Sequence, residues 1–114
     1  MASRRKEHQE DAKLRLFQLI NENPQLTTRE IAQNIGISNG SAYNLLTSLI
    51  NMGFVKFSNF KDSSQKIKSS YLLTPKGIRE KSLITGRFLE RKKQECKILQ
   101  KEITKLERDA GHKI

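Results

Sequence analysis

Tryptophan is absent from this sequence of 114 residues, cysteine occurs once and proline twice. A lone Cys96 allows no intrachain disulfide and no cysteine-based zinc cluster, and His8 and His112 stand far from it near the two ends, so no metal or other cofactor is expected. Long apolar runs are missing as well: no window approaches the roughly 18 uncharged residues of a membrane span, and residues 1–16 carry Glu7, Glu10 and Asp11, unlike a signal or transit peptide. A cytoplasmic protein without membrane contact is expected. The 12 acids are outnumbered by 22 Lys and Arg, and they are scattered among basic neighbours with no nucleophile elbow, phosphate-binding glycine loop or paired-carboxylate pattern. An enzyme is therefore not expected.

What is present is charge of one sign. The net +10 sits in a chain of 13.2 kDa, a density that attracts phosphate polyanions, with nucleic acid as the leading partner class. The length corresponds to one small core. A mean hydropathy of -0.67 is low for a compact globule, which suits a chain that includes a long solvated helix.

Local signals divide the chain. Ala12, Leu14, Leu16, Phe17, Leu19 and Ile20 recur at helical spacing over 11–20, and Pro24 ends that run. Thr27 and Glu30 form a capping box for a second helix, with Ile31, Ala32 and Ile35 on its apolar side, and Gly36 stops it. Ser38 caps a third helix over 38–52, whose Ala42, Leu45, Leu46 and Leu49 face the core until Gly53 supplies a left-handed stop. Two β-favouring runs follow, 54–60 and 67–73, separated by a polar stretch, and predict a hairpin with a basic tip. Thr74 and Pro75 then open a fourth helix that meets no further proline and reaches 108, with Gly77 and Gly86 as positions where it could bend. The expected fold is mainly α with a small β-hairpin wing: a flexible basic N-terminus over 1–10, a winged helix-turn-helix DNA-binding domain over 11–84, and a C-terminal dimerisation helix over 85–114.

The spacing of Ala32, Gly36, Ala42 and Leu45 is the pattern a helix-turn-helix needs, with small residues where the helices touch and a permissive backbone in the turn. An ordinary helical hairpin is the alternative, but strand, basic loop, strand and return into a helix favour the winged form. Here the chain resembles MarR-type winged-helix transcription regulators, through Ile37-Ser38, Gly53-Phe54-Val55 and the Leu73-Thr74-Pro75-Lys76-Gly77 signature, over roughly 11–108. Within that family it is similar to the short subgroup linked with exopolysaccharide gene clusters, through Asn59-Phe60-Lys61, Tyr71 to Gly77 and Arg87-Phe88-Leu89. The resemblance implies a homodimer that binds a partly palindromic operator in double-stranded DNA and regulates transcription. Relatives often carry an effector pocket between a longer dimerisation region and the DNA lobe; this shorter chain has less material for one, and no small-molecule effector is expected.

On the third helix the core face leaves Asn39, Gly40, Tyr43, Asn44 and Thr47 outward, with Ser41 at the N-terminal edge. Asn39, Ser41, Tyr43, Asn44 and Thr47 are the candidates for base readout: Asn can bond adenine through two bonds, Ser and Thr bond several bases, and the Thr47 methyl suits thymine. These pairings lead to an expected A·T-leaning site; no charged residue occurs over 37–52, unlike the many relatives with Arg or Lys at the Asn39 or Asn44 position, which counts against guanine readout. The backbone candidates are Thr28 and Arg29 at the start of helix two, Ser38 and Gly40 at the start of helix three, and Lys56, Lys61, Lys66 and Lys68 of the wing. Residues 54–79 hold six basic residues and one acid, Asp62, half of the net charge. Arg4-Arg5-Lys6 offers a minor-groove arm or a solubilising end, and Phe54, Phe57, Phe60 and Tyr71 offer packing or stacking.

The final segment places Leu89, Cys96, Ile103 and Ala110 seven residues apart, interleaved with Lys92, Leu99 and Leu106, a heptad seam with one charged defect. Leu89, Cys96, Leu99, Ile103 and Leu106 are the candidate dimerisation residues of a coiled coil; a helix folded onto its own domain is the alternative. Two other uses of the same fold stay open, a protein-recruiting adaptor and a nonspecific nucleic-acid binder.

Overall fold

The computed structural model describes residues 2–61 and 63–111, with the side chains of all these but 2–6, 60 and 67. The side chains of Arg4, Arg5, Lys6 and Phe60, together with Asp62 and His112, thus lie outside the described residues. The order is α1 (Ala2–Glu22), α2 (Thr28–Ile35), α3 (Asn39–Asn51), β1 (Val55–Lys61), β2 (Ile67–Leu73) and α4 (Pro75–Asp109). Two compact units make up the chain, Met1–Ile84 and Thr85–Ile114, and α4 contributes to each.

One expectation is corrected at the start of the chain. Helix α1 begins at Ala2 instead of residue 11, so 2–10, expected as a flexible lead-in, is helical. No proline or glycine precedes Pro24, and residues such as Lys, Glu, Gln and Ala carry a helix without an apolar face to announce it. The other boundaries follow their local chemistry. Thr27 Oγ1 accepts from the Glu30 amide and the Glu30 carboxylate accepts from the Thr27 amide, both at 3.1 Å, so the capping box is closed. Gly36 ends α2 at φ 83° and Gly53 follows α3 at φ 81°, left-handed values at which a Cβ would be strained.

Within the first unit α1 supplies Leu14, Leu16, Phe17, Leu19 and Ile20 to the core. These pack with Ile31 and Ala32 of α2, Ala42, Leu46 and Leu49 of α3, Phe54, Val55, and Ile84 of α4. Leu45, expected in the core, is half-buried instead. The hairpin pairs antiparallel, Val55 with Leu73 through Lys61 with Ile67. Its far edge is tied down by the Tyr71 amide, which donates to the Pro24 carbonyl at 2.9 Å.

The join between α3, wing and α4 is built by Thr74, Lys76 and Gly77. Thr74 Oγ1 donates to the Gly53 carbonyl at 2.6 Å and accepts from the Gly77 amide at 3.0 Å, while the Thr74 amide donates to the Phe54 carbonyl at 3.1 Å. Gly77 is buried, and a Cβ there would run into that same Phe54 carbonyl. Helix α4 continues through both its glycines, but the two serve differently, since a Cβ on Gly86 would meet nothing within 4 Å. Gly77→Ala is therefore expected to destabilise by about 1–3 kcal/mol because backbone must move. Gly86→Ala should instead stabilise by roughly 0.5–1 kcal/mol through helix propensity. Denaturant titration of both variants, followed by far-ultraviolet circular dichroism, checks the opposite signs.

Candidate nucleic-acid interface

Helix α3 turns its buried side, Ala42, Leu46 and Leu49, into the core, where it packs against α2 and β1, and this decides what the opposite side offers. At about 3.6 residues per turn, Gly40, Asn44, Thr47, Ser48 and Asn51 share that opposite side. Asn44 and Thr47 were named from the sequence; Ser48 and Asn51 were not, although Asn51 stands two turns beyond Asn44 and could have been found by that spacing. Asn44 and Asn51 are exposed and Thr47 is half-buried. The remaining sequence candidates are spread around the helix. Tyr43 lies on the wing side, where it shares with Leu46, Thr47, Ile50, Phe57 and Tyr71 a groove of about 250 Å³. Ser41 lies on the other flank and serves the helix start: its amide donates to Ser38 Oγ at 3.1 Å, and Ser38 Oγ donates to Ser41 Oγ at 2.9 Å. Asn39 opens the helix and is exposed.

The hairpin register sorts the wing cations. Lys56 and Lys68 fall on one face with Ser58, Ser70 and Leu72, whereas Lys61 falls on the face of Val55, Phe57 and Tyr71. Lys66 belongs to the connection between the strands, where Gln65 takes the left-handed φ of 67°. Two backbone candidates meet: Thr28 and Lys68 line one groove of about 500 Å³ with Gln25, Leu26, Thr27, Ser69 and Tyr71. Arg29, next to Thr28 on α2, is exposed, as are Ser38, Gly40 and the four wing lysines. The wing aromatics pack. Phe54 is buried edge-on against Phe17, with centroids 6.3 Å apart, and Phe57 lies across the strands from Tyr71 at 5.1 Å.

Lys76, counted from the sequence among the six basic residues around the wing, does structural work instead. Its Nζ donates to the Met52 carbonyl at 2.8 Å, at the C-terminus of α3, and stands 5.0 Å from the Phe54 ring centroid. A cation there meets the negative end of the helix dipole and the face of a ring together. Lys13 stands 4.8 Å from the same ring centroid. Among the described residues there is no group of three His, Cys, Asp or Glu that could hold a metal ion, and no helix is long and apolar enough to cross a membrane.

The fold is a winged helix-turn-helix. A model of the IclR helix-turn-helix domain matches residues 14–58, from within α1 into β1. No curated protein sequence matches the chain. Solved structures do. A PadR-like transcriptional regulator from Bacillus cereus is similar at a TM-score of 0.68 and 16% identity, covering 77% of this chain and 90% of its own. The adhesin competence repressor of Streptococcus pyogenes is similar at 0.62 and 18%, covering 88% and 74%. MepR, a transcription regulator of the Staphylococcus aureus multidrug efflux pump MepA, is similar at 0.59 and 19%, covering 90% and 78%. MarR-family regulators thus recur among the structures sharing this fold, while the matched domain model is of IclR type.

The dual contact of Lys76 generates an expectation that separates it from the wing cations. Lys76→Ala should lower unfolding free energy by about 1 kcal/mol, the size of a lost hydrogen bond. Lys56→Ala, on the solvent side of the hairpin, should change it by less than about 0.5 kcal/mol. Urea melts of the two variants against the unaltered chain measure this difference.

Proposed function

We propose that the protein is a sequence-specific double-stranded DNA-binding transcriptional regulator that acts as a homodimer in the cytoplasm. The observation that carries the proposal is the exposed face of α3, polar and without charge, beside a hairpin that carries four lysines. Base edges are read by neutral hydrogen-bonding groups and phosphates are held by cations, and this surface separates the two. Asn44, Thr47 and Asn51 would read bases, joined by Asn39 and Tyr43 at the margins. Thr28, Arg29, Ser38, Gly40, Lys56, Lys61, Lys66 and Lys68 would hold phosphates. Support comes from the fold, which is shared with a MepR variant of S. aureus solved bound to an oligodeoxyribonucleotide. The resemblance to the exopolysaccharide-linked subgroup suggests genes of that kind as targets.

An adaptor or a nonspecific binder would use the same fold and charge without needing the uncharged face. Selection of bound fragments from random duplex DNA at physiological salt decides among the three: an enriched inverted repeat is expected, and its absence overturns the specific reading. On the selected site Asn44→Ala should lose roughly 1–3 kcal/mol, with little change on scrambled DNA. Lys66→Ala should weaken both and lower the slope of log affinity against log salt by about one. An Asn44→Ala loss equal on both duplexes would remove α3 from the role of reader.

Dimerisation through Leu89, Cys96, Leu99, Ile103 and Leu106 completes the proposal. All five side chains are exposed in the second unit, and such an apolar row calls for a partner. Light scattering of the full chain at tens of micromolar should give the dimer mass; a monomer mass would refute the seam as an interface.

A further inference from the structure

The second unit holds an apolar row with no cover of its own: Leu89, Leu99, Ile103 and Leu106 are 47% to 65% exposed, and Cys96 between them is exposed. On the dimer reading just given, the occupant is a second copy, and the charges beside the row determine how it lies. Lys93, Gln100 and Glu107 run along one side of the seam; Glu95, Glu102 and Asp109 run along the other. Within the seam stands Lys92, its Nζ 3.1 Å from Glu95 Oε2 and 5.2 Å from the Phe88 ring centroid.

We propose that two copies of α4 pair antiparallel about Lys101. Cys96 then meets the partner's Leu106, Leu99 meets the partner's Ile103, and Lys92 meets the partner's Ala110. Three arrangements keep the seam closed, and they differ in where the charges fall. In a parallel pair, Lys92 opposes the partner's Lys92 in an interior layer, and Glu102 faces the partner's Glu107; no flanking pair attracts. In the antiparallel pair that sets Leu89 against the partner's Leu106, Lys92 is again interior, against the partner's Ile103. Glu95 then faces the partner's Glu102, and Lys93 faces the neutral Gln100 of the partner subunit.

Sliding that pair by one heptad gives the proposed register, and here alone opposite charges meet. Lys93 faces the partner's Glu107 at both ends, and Gln100 faces the partner's Gln100 at the centre, where amides can bond each other. The longest side chain of the seam lies against its smallest, in the outermost layer, where the ammonium keeps water, its own Glu95 and the partner's Asp109 within reach. Glu102 remains opposite the partner's Glu102, and Glu95 opposite the partner's Asp109, at the exposed edge; salt screens these repulsions, and Lys92 stands beside the second. The helix itself ends where the overlap ends: α4 stops at Asp109 and Gly111 turns at φ 75°. Leu89 lies beyond the paired stretch, so in this register it contributes no layer.

Sedimentation equilibrium of the full chain at low salt tests the flanking pairs. Glu107→Lys and Lys93→Glu should each raise the dimer dissociation constant about fivefold, and K93E/E107K should restore it to within about twofold. A parallel pair gives the opposite sign for Glu107→Lys, because it relieves the contact with Glu102; tightening, or no rescue in the double variant, overturns the proposal. Mild oxidation supplies the geometry through the native thiol. The unaltered chain should form no covalent dimer, whereas Leu106→Cys should form one through Cys96. A covalent dimer of the unaltered chain, or of C96S/L89C/L106C, would assign the parallel or the other antiparallel register. A non-covalent dimer in which Leu106→Cys fails to cross-link also refutes the proposed one. A monomeric chain removes the dimer reading and the register together, while a dimer with the wrong cross-link removes the register alone. Neither result bears on how α3 reads DNA.

Discussion

Everything in the first unit is arranged around the backbone of Gly53 and Phe54. At that point α3 ends, the wing begins, and the start of α4 returns to close the circuit: the Gly53 carbonyl takes the Thr74 hydroxyl, the Phe54 carbonyl takes the Thr74 amide, and Gly77 leaves room for the approach. Lys76 adds a bond to the Met52 carbonyl one residue earlier. Three consecutive carbonyls at a helix end are thereby satisfied from a segment twenty to twenty-four residues further along the chain, which fixes the angle at which the wing leaves α3. The Phe54 side chain anchors the same point from below, edge-on to Phe17 of α1.

That construction explains why the Thr74-Pro75-Lys76-Gly77 run is informative as sequence and also why its meaning was only half legible there. The N-cap and the proline at the first helical position follow from local rules and were readable. The tertiary contacts were not. A lysine beside a cationic hairpin reads as one more phosphate ligand, and only the folded chain shows its ammonium held at the end of α3. A glycine near a helix start reads as a possible bend, whereas the constraint is the carbonyl lying against it.

The same division holds elsewhere. Thr27 with Glu30, Gly36, Ser38 and Gly53 were legible because caps and left-handed turns depend on neighbouring backbone alone, and the hairpin was legible from its β-favouring runs. The first nine residues of α1 escape the pattern because their sequence carries no apolar periodicity, the one signal by which a helix of polar residues could be read. On α3 the outward residues were recognisable as a set. Their grouping was not, because the angle of each side chain matters less than what flanks it: the wing claims one side of the helix and the N-terminal cap claims Ser41. The neutral row of Asn44, Thr47 and Asn51 is what remains between them.

The residues that hold the fold and those that would read sequence share a helix but not a duty. Ala42, Leu46 and Leu49 are sealed in the core, and the exposed side chains of Asn44 and Asn51 hydrogen-bond to no other described residue. Substitutions on the outer row therefore fall outside the mechanisms that make most mutations destabilising. If the outer row reads bases as proposed, such a surface could drift between target sequences over evolutionary time without passing through misfolded intermediates, while the wing lysines would keep every intermediate on the phosphates. On that reading, divergence of binding sites would be a matter of a few neutral side chains exchanged on a scaffold that does not register the change.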